Sequence, residues 1–103
     1  MEEQFNGWTN RETWATALYI DNDQGLLETV NSLAEAAYED NQDDSDTALY
    51  ELQVAIEDLF DDIAGDYTEL SLDAYNMLRD IGSLYRVNWR EVARSYLYEQ
   101  VSA

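Results

Sequence analysis

Apolar residues recur along this chain at steps of three and four, the period of a helix, and no segment shows the strict alternation of a half-buried strand. The pattern predicts five helices. Thr9-x-x-Glu12 reads as a capping box, with the Thr hydroxyl taking a free N–H of the first turn and the Glu reaching back to the cap. It opens a helix near 10–21 that turns Trp14, Ala17, Leu18 and Ile20 inward. Asp23 caps a second helix near 24–40, where Leu26, Leu27, Val30, Leu33, Ala34, Ala37 and Tyr38 form an amphipathic stripe. A polar loop at 40–46 leads to a third helix near 46–64, with Leu49, Leu52, Ile56, Leu59, Phe60 and Ile63 on one face and Gly65 as its C-cap. A fourth helix starts near Asp66 or Ser71, buries Leu72, Tyr75, Leu78 and Ile81, and ends around Gly82. Asn88-x-x-Glu91 resembles a second capping box and opens a last helix carrying Trp89, Val92, Ala93, Tyr96 and Leu97.

The second and third helices are long enough to pack antiparallel across their short loop. With no Pro, no Gly/Ser linker and no internal repeat, the expectation is an all-α fold: a single compact domain of about five short helices over 1–103. A chain of 103 residues can bury about two-thirds of its unfolded surface, enough for a real core.

Charge changes the picture. Asp and Glu number 23 against 5 Lys and Arg, for a net charge of −18. The excess is segregated: residues 21–73 hold 11 Asp and 6 Glu with no basic residue. All five basic residues are Arg, and four of them (Arg79, Arg86, Arg90, Arg94) fall near the last two helices. Arg86, Arg90 and Arg94 follow a four-residue step and share a side if the last helix begins early. Their expected role is to pair with acidic neighbours, or to mate with the acidic face of a second copy in a homodimer. So negative a surface repels nucleic acid and the anionic membrane leaflet, and neither is expected as a direct partner. The N-terminal residues lack the basic start and apolar run of a secretory signal, and no stretch has the length of a membrane span, so a cytoplasmic protein is expected.

Little here points to catalysis or to a cofactor. There is no Cys for a disulfide or a thiolate metal site, and no His to activate a Ser or Thr. Nothing in the spacing marks a pair of carboxylates for acid–base work. Asp21-x-Asp23-x-Gly25 resembles the start of a calcium loop, but its Gly comes one position early and Ser32 stands where the closing Glu belongs. No enzyme activity, metal site or cofactor is therefore expected.

Three segments look like parts of a known family. Asn6-Gly7-Trp8-Thr9-Asn10-Arg11-Glu12-Thr13-Trp14 resembles the N-terminal signature of small uncharacterised proteins of phages, archaeal viruses and plasmids. Asp21-Asn22-Asp23-Gln24-Gly25-Leu26 is similar to that family's turn into a second helix, and Val87-Asn88-Trp89-Arg90-Glu91-Val92-Ala93 to its C-terminal segment. The resemblance implies an origin in a mobile element; the family being uncharacterised, it assigns no activity. Trp8, Thr9, Glu12, Trp14, Asn88, Trp89 and Glu91 are expected as structural anchors and caps, against an alternative in which an exposed Trp serves a binding surface.

The acidic middle carries the sharper expectation. Glu51, Glu57, Asp58, Asp61 and Asp62 point away from the third helix's apolar stripe. Asp40, Asp43, Asp44 and Asp46 precede them and Asp66 follows, while Glu35 and Glu39 join Glu28 on the outer side of the second helix. Like charges at three- and four-residue steps cost a helix a few tenths of a kcal/mol each, roughly, so folding alone does not favour them. A duplex carries one charge per about 1.7 Å, so seventeen correspond to about 29 Å, near the roughly 27 Å of an 18-residue helix. The face is thus scaled to imitate DNA before a basic host protein, one that binds nucleic acid, such as a restriction enzyme or CRISPR effector. The alternative is a salt-adapted, halophilic helical protein of structural or unknown role whose acidity has no dedicated partner.

Overall fold

The computed structural model describes residues 7–65 and 72–102. These form five α-helices and one 3₁₀ turn, with no strand among the described residues: α1 Arg11–Asn22, α2 Gln24–Asp40, α3 Ser45–Gly65, α4 Leu72–Ile81, the turn Leu84–Arg86, and α5 Trp89–Ser102. The single all-α domain expected from the periodicity is what the chain builds.

The core lies where α3 packs on both α2 and α5 and α2 meets α5, with α1 covering α2 and α5. Val30 and Ala34 from α2, Leu52, Ile56 and Phe60 from α3, and Val92 and Ala93 from α5 are fully buried. Ile20 and Ile81 close it from α1 and α4. Each large apolar side chain removed from water contributes about 1.5–3 kcal/mol before the entropy of ordering is subtracted. The Phe60 and Trp89 rings meet with centroids 5.4 Å apart at 46°, a tilted pair that ties the start of α5 to α3. Only the short segment 41–44 joins the long α2 and α3, which makes them an antiparallel hairpin.

Several local expectations are corrected. The capping box at Thr9 does not form: Asn10 is the N-cap of α1, its side-chain oxygen accepting from the Thr13 N–H at 2.9 Å and the Thr13 hydroxyl at 2.7 Å. Glu12 instead pairs with the Arg86 Nε at 2.8 Å. At α5 half of the second box holds. Asn88 accepts from the Glu91 N–H at 3.1 Å, but the Glu91 carboxylate accepts from the Thr9 N–H, 2.9 Å away, and so leaves its own cap.

Leu18 is exposed, because α1 buries the stripe Thr13, Thr16, Ala17 and Ile20. Leu72 and Tyr75 are exposed as well (74% and 52%). Steps of three drift about 60° each around a helix, which carries Leu72 to the side opposite Ile81; the buried pair is Met77 and Ile81, one turn apart. The candidate starts of this helix at Asp66 and Ser71 lie outside the described residues. Gly65 ends α3 without a left-handed backbone, whereas Gly82 (φ +88°) has one, and its N–H closes α4 on the Leu78 carbonyl at 3.0 Å.

The two ends of the described chain are stitched together. The buried Thr13 hydroxyl accepts from the Asn88 N–H at 2.9 Å. Asn10 Nδ2 donates to the Arg86 carbonyl at 2.7 Å, and Asn88 Nδ2 to the Thr9 hydroxyl at 3.3 Å. Arg11 donates to the Asp80 and Ile81 carbonyls at the C-terminal end of α4 (2.6 and 3.4 Å), where a cation meets the negative end of the helix dipole.

Candidate functional site

The expected acidic residues fall on two helices and the segment between them. Glu35, Glu39 and Asp40 are on α2, Asp43 and Asp44 precede α3, and Asp46, Glu51, Glu57, Asp58, Asp61 and Asp62 are on α3. All are exposed except Glu57, which is half-buried. Asp66 lies outside the described residues.

Helix geometry sorts them into rows. On α3, Glu51, Asp58 and Asp62 stand at i, i+7 and i+11, and Glu57 and Asp61 one turn apart form a second row that Tyr50 and Val54 continue. On α2, Glu28, Glu35 and Glu39 repeat the i, i+7, i+11 spacing. The first α3 row begins at the α2–α3 junction, where Asn41 Nδ2 bridges the Glu51 carboxylate (2.7 Å) and the Ala37 carbonyl (3.0 Å). Asp21 and Asp73 belong to α1 and α4 and stand outside these rows, so the acidic middle does not converge as a whole.

Most of these carboxylates are left unneutralised. The ion pair among the described residues is Arg86–Glu12, away from both helices. Arg86 sits in the 3₁₀ turn and α5 begins only at Trp89, so the anticipated arginine row along one helix does not form. Of the arginines expected to pair with acidic neighbours, Arg86 does so; Arg79, Arg90 and Arg94 have no carboxylate within ion-pair distance among the described residues.

Two acids have local duties as well. Asp44 accepts from the Thr47 hydroxyl at 2.7 Å and the Thr47 N–H at 3.1 Å, and these hydrogen bonds hold its carboxyl below the usual range. Asp23 caps α2 as expected, accepting from the Leu26 N–H at 3.0 Å. No three carboxylates among the described residues gather closely enough to hold a metal ion. The arrangement is a broad field of separate charges.

Aromatic residues beside the field escaped the pattern of the sequence. Tyr50 is 60% exposed within α3's outer face, and Tyr85, in the 3₁₀ turn, is fully exposed. Tyr85 joins Leu84 and Trp89 across a groove from Glu57 and Asp61. The only sequence signal for it was an aromatic standing between two predicted helices. Trp89 is buried as an anchor, and Trp8 and Trp14 are half-buried, Trp14 against the core. Two buttresses were also missed: the Tyr96 hydroxyl donates to Asp21 at 2.6 Å, and the Tyr19 hydroxyl donates to Asp80.

Comparison with known families decides one question of kinship. Residues 1–83 match the model of a family of unknown function, DUF7249. The chain belongs to this family. The match spans the Asn6–Trp14 and Asp21–Leu26 segments and all of α2 and α3, and ends before Val87–Ala93. The family's region thus contains the acidic rows but neither Asn88 nor α5, and it is Asn88 together with Glu91 of α5 that binds Thr9. Comparison with curated proteins and with solved structures gives no match. Among the described residues no helix is long and apolar enough to cross a membrane.

Proposed function

We propose that this protein is a small acidic inhibitor that acts by presenting the outer face of α2 and α3 to a basic, nucleic-acid-binding protein of a host cell. The observation that carries this is the set of carboxylate rows on two packed helices with no arginine paired to them among the described residues. α3, with 21 residues, is about 32 Å long and carries six carboxylates, a rod of negative charge on the length scale of a DNA-binding groove. Carboxylates so displayed can take the Arg and Lys that otherwise grip phosphates, by fast, salt-sensitive association. In a mobile element acting in the cytoplasm, the target would be a defence component such as a restriction or CRISPR nuclease.

The test is displacement. Host proteins held on immobilised duplex DNA at low salt should be released by this chain, and the triple variant D58K/D61K/D62K should release none while keeping its helical circular dichroism. Equal release by the reversed variant would overturn the proposal. The absence of Lys from the whole chain favours a second reading, salt adaptation without a dedicated partner. A chain that folds only in molar salt and releases nothing would establish that one.

A further inference from the structure

We propose that the groove between the C-terminal half of α3 and the start of α5 seats an arginine side chain of the protein partner. This rests on the reading of the acidic face as a docking surface for a basic protein, and it names the anchor of that surface. The groove is open to solvent and has a volume of about 740 Å³. α3 lines one side with Glu57 and Asp61 on successive turns, followed by Ala64 and Gly65; the other side is aromatic and apolar, formed by Leu84, Tyr85 and Trp89.

Three observations select the occupant. Neither carboxylate has a hydrogen-bond or ion-pair partner among the described residues, and the adjoining Arg86 is held by Glu12. Trp89 is fixed by its packing on Phe60, so the floor of the groove at the start of α5 is set before anything binds. Tyr85 is fully exposed and contributes nothing to the core. Solubility and salt adaptation both account for carboxylates; neither accounts for an aromatic ring held in water beside them.

A guanidinium satisfies both walls at once. It is planar, so it lies against an aromatic face, and its N–H groups fork onto a carboxylate. An ammonium is a compact, strongly hydrated charge that gains from the carboxylates but little from the ring. The groove therefore discriminates arginine from lysine, which a bare field of charge does not. Aromatic and arginine side chains meeting in a partly desolvated pocket are the usual centres of binding energy at protein interfaces.

The experiment uses fluorescein-labelled hexa-arginine and hexa-lysine peptides, followed by anisotropy at about 150 mM NaCl, where long-range attraction is damped. The wild-type chain should bind hexa-arginine about fivefold or more tighter than hexa-lysine. Y85A and E57Q/D61N should remove that preference. D58N/D62N, which deletes as much charge from the other row of the same helix, should weaken both peptides alike and keep it. Because Tyr85 is wholly exposed, Y85A tests the groove even where the double variants lose helix content. Equal affinity of the wild-type chain for the two peptides, or a preference that survives Y85A, overturns the groove and leaves the acidic face standing. Failure to bind either peptide overturns both.

Discussion

Thr13 shows how much one side chain can decide in this fold. Its hydroxyl is fully buried, donates to the α1 cap Asn10 and accepts from the Asn88 N–H at the start of α5. Thr13→Val keeps the shape but leaves a backbone donor unsatisfied, and should cost about 1–3 kcal/mol in urea unfolding. Thr16→Val, which loses only a bond to the Glu12 carbonyl within the same helix, should cost less than Thr13→Val. Equal costs would mean that the junction of the two ends contributes little. Tyr96 is the other decisive residue. Burial and the neighbouring Asp21 carboxylate push its phenol well above the ordinary value of 10.0. The folded chain therefore keeps Tyr96 neutral where the unfolded chain ionises it, and the stability it contributes is complete below pH 10 and lost as pH rises toward its folded value. The stability advantage of wild type over Tyr96→Phe should hold from pH 7 to 9 and shrink above pH 10, by up to about 1.4 kcal/mol per pH unit. An advantage that stays constant to pH 11.5 would contradict the assignment.

Among the elements, α1 and α2 meet at a single residue. The Asp23 N–H closes α1 on the Tyr19 carbonyl at 3.1 Å, and its side chain caps α2. Asp23→Ala should cost about 1 kcal/mol in thermal or urea unfolding, and Asp23→Asn should restore most of it, because the amide oxygen accepts the same bond. A loss unrelieved by Asn would mean that charge, not capping, is what Asp23 supplies. Element types were legible because period and cap signals agreed: α2 begins and ends where its stripe predicted. Cap identities were less legible. Thr9 and Asn10 are adjacent and both can cap, and the choice between them was made by Asn88 and Glu91, which bind Thr9 from across the fold. The face of α4 was misjudged for another reason. Its main partner helix among the described residues is α1, and steps of three in a sequence do not stay on one face over ten residues.

At the scale of the whole molecule, charge opposes compactness. A net charge of −18 on a small domain repels itself, and the carboxylate rows of α2 and α3 concentrate that repulsion. Added NaCl shortens the Debye length from about 30 Å at 0.01 M to about 3 Å at 1 M, so the thermal midpoint should rise steadily across that range. A midpoint that falls or stays flat would show that the rows are already neutralised. Among the candidate site residues, the carboxylates themselves were legible because composition and helical spacing place them outward whatever the tertiary contacts. The groove was not, because it joins Glu57 and Asp61 to a turn more than twenty residues away.

By itself the sequence determined which segments are helices, which faces are apolar, and that the middle of the chain is an outward field of negative charge. These follow from local periodicity and solvation, which act over a few residues. Tertiary structure alone decided which of two adjacent residues caps α1, which face of α4 is buried, and that Tyr85 stands opposite Glu57 and Asp61. Each of those depends on a partner distant along the chain, and only close packing sets where that partner lies.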